Sequence, residues 1–105
     1  MSEIYTDLER KKASFKEELK ILTDASEEKI TLKVIEEATE LNEVLVKRLT
    51  KREDLKPPIE KVIEEMGDLQ FRMMVLAAKL NIENEVAERF RIKNKQVLKW
   101  IKENK

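Results

Sequence analysis

An all-α fold, arranged as an antiparallel four-helix bundle, is what three features of this sequence predict. Charged residues fill 42% of the 105 positions, and there are only one glycine and two prolines. Apolar residues recur at three- and four-residue spacing in four successive stretches. Short polar links separate those stretches, which favours antiparallel neighbours. Glu- and Lys-rich chains with few helix breakers form long helices rather than strands. Residues 1–105 are therefore expected to make a single domain.

The first helix is expected from about Asp7 to Leu22. Thr6 followed by Glu9 is a capping-box pattern, and Leu8, Phe15, Leu19 and Leu22 share one face. The polar run Thr23 to Ser26 offers turn and N-cap residues. Beyond it Ile30, Val34, Leu41, Leu45 and Leu49 place a second helix to about Lys51. Pro57 and Pro58 suit the first turn of a third helix, where a missing N–H costs nothing, and that helix should reach Leu80. A break at Asn81 precedes a fourth, from about Glu83 to Lys102, with Val86, Phe90, Val97 and Ile101 on one side. Leu69 to Leu80 holds only Gln70, Arg72 and Lys79 as polar residues, so the third helix should be the central element or a subunit interface. Met66, Met73 and Met74 read as core filler, and Tyr5 and Trp100 as packing at the bundle end.

Composition narrows the chemistry. The 22 basic and 22 acidic residues cancel, leaving no net positive field with which to coat nucleic acid. Without Cys or His, thiolate and imidazole ligands and the usual general base are missing, so catalysis must rest on carboxylates, Lys or Arg. No apolar run approaches the ~18 residues of a membrane span, and no secretory signal pattern is present at Met1 to Asp7, which makes the cytoplasm the expected location. A domain this small buries only about two-thirds of its unfolded surface and would gain from forming an oligomer.

Four acids break the amphipathic pattern. On a wheel of ~100° per residue, Glu37 falls between Val44 and the pair Ile30 and Leu41, inside the apolar arc, with Glu40 one turn along. In the third helix Glu65 and Asp68 repeat the i,i+3 spacing, flanked by Leu69, Phe71, Val75 and Leu76. Were the two pairs to face each other, each carboxylate pair at ~5 Å would repel by about 3 kcal/mol at an effective dielectric of about 20. Mg²⁺, a hard ion that takes oxygen ligands, converts that repulsion into coordination. The competing reading is a solvated acidic face with Asp68 paired to Arg72; other i,i+3 acid pairs, such as Asp24 with Glu27 and Glu85 with Glu88, arise in this sequence by composition alone. Gly67 costs ~1 kcal/mol in mid-helix, which a close approach by backbone or ligand would justify. Asn94 on the apolar side of the last helix either fixes register or contacts a ligand.

Glu36-Glu37-Ala38-Thr39-Glu40 fits E-E-x-x-E, and Glu65-Met66-Gly67-Asp68 fits E-x-x-D, 25 positions on. Together they resemble the signature of the MazG-like all-α nucleotide pyrophosphohydrolases over about Leu32 to Leu80. That resemblance implies hydrolysis of a nucleoside triphosphate to monophosphate and pyrophosphate, with Mg²⁺ (or Mn²⁺) on the residues matching Glu37, Glu40, Glu65 and Asp68. Glu36 or Glu40 would take the proton of the attacking water, and Glu36 would otherwise support the metal from behind. Lys93 and Asn94 are the nearest matches to the family's phosphate and sugar or base contacts, although the usual lysine one turn earlier is here Phe90. The resemblance implies a dimer or tetramer with each site near an interface. A canonical or modified dNTP is the first expectation for substrate, phosphoribosyl-ATP the second, and a non-catalytic helical interaction protein the remaining alternative.

Overall fold

The computed structural model describes residues 16–104, and it is helical throughout apart from turns. The expected capping box at Thr6 and Glu9, the apolar positions Leu8 and Phe15, and Tyr5 lie outside the described residues. Four helices follow in order: α1 through residues 16–22, α2 at Glu27–Thr50, α3 at Ile59–Lys79 and α4 at Glu83–Glu103. A 3₁₀ turn, Glu53–Leu55, lies between α2 and α3.

Local chemistry explains the boundaries. Thr23 closes α1 by donating its hydroxyl to the Leu19 carbonyl at 3.0 Å. Ser26 caps α2, its side chain accepting from the Lys29 N–H, and Glu27 and Glu28 in the first turn with Lys47 and Arg48 in the last complement the helix dipole. Arg48 Nη1 donates to the Pro57 carbonyl at 2.8 Å, tying the end of α2 to the start of α3. At the far end Lys79 Nζ donates to the Thr23 carbonyl at 2.8 Å, which fixes α2 and α3 as antiparallel partners. Asn81 then takes a left-handed conformation, φ 57°. Its N–H bonds the Ala78 carbonyl and the Ile82 N–H bonds that of Ala77, the Schellman arrangement that ends a helix and redirects the chain.

The core is confined to the α2–α3 contact, where Ile30 and Val44 of α2 and Val62 and Val75 of α3 are buried. Antiparallel register sets Ile30 level with Val75 and Val44 level with Val62, giving two apolar layers with one gap between them. The fourth helix behaves otherwise. It meets α3 but not α2, and none of its residues is buried. Among the described residues the expected four-helix bundle is thus only part-built: α2 and α3 pair along their length, and the apolar side of α4 is left uncovered by them. Met66, Met73, Met74 and Trp100 correct the sequence expectation in the same way. All are exposed, because the surfaces that would make them core are not supplied by the described residues.

Candidate metal centre

The gap between the two apolar layers is where the four acids meet. Wheel position puts Glu37 and Glu40 on the α3-facing side of α2, and the antiparallel register sets them level with Asp68 and Glu65. Glu37, Glu65 and Asp68 each bring a carboxylate oxygen within 4.8 Å of the others, a spacing that fits shared coordination of one ion. Glu65 is the most enclosed charged residue described, 4% exposed. One oxygen of Glu37 and one of Glu65, Oε2 in each, are buried without any hydrogen-bond partner. An orphaned carboxylate oxygen is costly in such a place, and a cation removes the cost.

Glu40 completes the quartet. Its carboxyl titrates above the usual glutamate range, first because of the charge on Glu37, then through partial burial, hydrogen bonding to Glu37 and the charge and hydrogen bonding of Glu65. A carboxyl whose proton affinity is raised by its neighbour's charge lies close enough to that neighbour to share a metal with it. The solvated-face alternative loses its specific prop: no ion pair joins Asp68 to Arg72, whose guanidinium instead lies over the Phe71 ring, 5.3 Å from its centroid.

A residue that the sequence reading missed also belongs here. Lys61 Nζ lies 3.0 Å from Glu65 Oε1 and 3.6 Å from Glu64 Oε2. Its pKa is raised, first by the hydrogen bond to Glu65 and then by the charges of Glu64 and Glu65. The signal was present, since Lys61 precedes Glu65 by four positions, one helical turn.

Other expected site residues lie apart from the quartet. Glu36 is exposed on the outer side of α2 and is paired with Lys33 at 3.2 Å. Lys93 and Asn94 are exposed on α4, and no contact joins α4 to α2. Gly67 does not meet a close backbone: a Cβ placed there would find nothing within 4 Å. It opens onto a groove lined by Leu41, Ile63, Met66 and Met73.

Comparison with known families bears on the reaction class rather than on individual residues. Residues 2–95 match the phosphoribosyl-ATP pyrophosphohydrolases. The chain belongs to that family. Its members lie within the all-α NTP pyrophosphatase superfamily, so the resemblance to MazG-like enzymes holds at superfamily level, and the match points to a hydrolase acting on phosphoric anhydrides. Comparison with curated proteins and with solved structures gives no match. No described helix is long and apolar enough to cross a membrane.

Proposed function

We propose that this chain hydrolyses phosphoribosyl-ATP, or a close analogue, to the corresponding monophosphate and pyrophosphate, with a divalent cation held by Glu37, Glu40, Glu65 and Asp68. The observation that carries the reading is the pair of buried, unpartnered oxygens on Glu37 and Glu65. They converge with Asp68 at ligand spacing in a chain that matches this family. The family match supports taking phosphoribosyl-ATP, the second expectation from sequence, ahead of a dNTP.

Mg²⁺, or Mn²⁺ in its place, supplies charge neutralisation for the polyphosphate and acidifies a water when bound. The protein's part is to hold and orient. Glu65 and Glu37 project from facing helices braced by the Ile30–Val75 and Val44–Val62 layers, which aim their carboxylates toward one another. Water attacks the α-phosphorus, the bond to the pyrophosphate oxygen breaks, and a carboxylate accepts the water's proton. Of the two acids expected for that task, Glu40 is better placed. It lies beside Glu37 and Glu65, whereas Lys33 holds Glu36 on the outer face.

A homodimer or homotetramer is part of the same proposal. Large apolar side chains of α4 such as Phe90 and Trp100, 77% and 64% exposed, favour a partner surface. A second copy would also answer the site's shortage of cations. From Arg89 to Lys102, α4 carries Arg89, Arg91, Lys93, Lys95, Lys99 and Lys102 and no acid. Presented by a neighbouring copy, Lys93 and Asn94 would meet the substrate's phosphates and ribose.

The test is pyrophosphate release from phosphoribosyl-ATP and a panel of dNTPs with Mg²⁺. Preference for phosphoribosyl-ATP is expected. Turnover of a dNTP with none of phosphoribosyl-ATP would overturn the substrate assignment and leave the hydrolase intact.

A further inference from the structure

Glu65 divides its two oxygens between different surroundings. Oε1 faces outward to Lys61 Nζ at 3.0 Å, whereas Oε2 is buried and unpartnered on the side of the quartet. Lys61 itself is well exposed, its side chain 45% accessible against 6% for that of Glu65. No other ion pair among the described residues involves Glu37, Glu40, Glu65 or Asp68.

We propose that Lys61 is a built-in counter-cation for the carboxylate quartet, one that keeps the metal-free cluster folded and sets how tightly a divalent ion is held. The inference rests on the metal-binding reading of the site given above. Four carboxylates gathered around the buried Glu65, with Glu37 and Glu40 half-buried and Asp68 exposed at the rim, repel one another, and a single lysine reached through an exposed, flexible stem offsets part of that repulsion. A cation in that position has a second effect. Its charge also opposes any divalent ion drawn to the inner oxygens, so the feature that stabilises the empty site weakens the filled one. The site is thereby arranged to stay folded when empty and to take up its ion reversibly. A lysine that merely oriented Glu65 would have the opposite influence on metal affinity, because its loss would leave the ligand misplaced.

Calorimetric titration of the full-length chain with Mg²⁺, alongside melting in chelator and in saturating Mg²⁺, separates these roles. Lys61→Met is expected to bind Mg²⁺ roughly tenfold more tightly, to melt below the parent in chelator, and to recover most of that difference when Mg²⁺ is added. Lys61→Arg, which keeps the charge, should behave as the parent in all three. Should Lys61→Met be unfolded in chelator, refolding on Mg²⁺ addition supports the proposal, and failure to refold overturns it. Equal or weaker Mg²⁺ binding by Lys61→Met, or unchanged melting in chelator, also overturns it while leaving the metal centre standing. If neither the parent nor Lys61→Met binds Mg²⁺, the metal reading itself fails and takes this one with it.

Discussion

Helices α3 and α4 are the same length, 21 residues each, and both are amphipathic, yet they finish in opposite states. The first buries Val62, Val75 and the acid Glu65 against α2. The second buries nothing: Phe90 is 77% exposed and Trp100 is 64% exposed. What separates them is the presence of a partner. A facing helix supplies α3 with apolar layers above and below the acids, and those layers are what allow carboxylates to be held in a partly dry space. On α4 an apolar stripe has no cover among the described residues, and burying each large side chain there would contribute about 1.5–3 kcal/mol. On the proposed reading, the acids that would hold the metal all come from one chain, whereas substrate contacts on α4 would need a second.

The largest effect expected from this contrast concerns assembly. Phe90→Glu combined with Val97→Glu should weaken self-association by about 30-fold or more, as read by sedimentation equilibrium, while the helical content of the α2–α3 pair persists. A chain that sediments identically with both substitutions would break the distinction between a self-sufficient pair and a dependent helix.

Next in size is the effect on substrate binding. Asn94→Ala and Lys93→Ala should each raise KM by roughly tenfold while Mg²⁺ affinity stays as in the parent. That split follows if α4 serves the substrate and α2–α3 the metal; a matching loss of Mg²⁺ binding would put α4 residues in the metal centre instead.

A smaller effect, opposite in sign to most core substitutions, is expected at Glu40. Its folded-state pKa lies above the ordinary value of 4.5. The metal-free fold is therefore helped while Glu40 is protonated, and that help is lost as pH rises from the unfolded-state pKa through the raised one. Glu40→Gln should remove this decline and stabilise the metal-free protein at neutral pH. Urea midpoints measured across that interval in chelator check it, and a destabilised variant would show that Glu40 is not under repulsion.

The smallest concerns Gly67. With nothing within 4 Å of a Cβ, Gly67→Ala should stabilise the dissociated chain by ~1 kcal/mol through helix propensity alone. If the groove beside it receives a second copy, the same change should weaken association, so chemical denaturation across a range of protein concentrations sharpens where the interface lies.

Much of this was legible in the sequence, and unevenly so for physical reasons. Helix boundaries followed from local chemistry: Ser26, the Pro57–Pro58 pair and Asn81 each act over one turn, and α2, α3 and α4 end within a residue or so of expectation. Placement of Glu37 and Glu65 within apolar arcs also survived, since wheel position depends only on helical period. What period cannot give is which helix faces which. Met66, Met73 and Met74 were assigned to a core, and Asn94 to an apolar side, on pattern alone, and no surface among the described residues covers them. Side-chain pairing was the other blind spot. Glu36 and Glu37 are adjacent in sequence, but Lys33 holds the first on the outer face while the second turns inward, and Lys61, one turn from Glu65, was passed over.

Mg²⁺ titration of the parent, Glu37→Gln and Glu65→Gln, each checked for retained helicity, bears most directly on the claim that facing acids on α2 and α3 bind one ion together. Saturable binding by the parent, weakened about 100-fold or more in either variant, is the predicted result. Parent-like binding in both variants would contradict it.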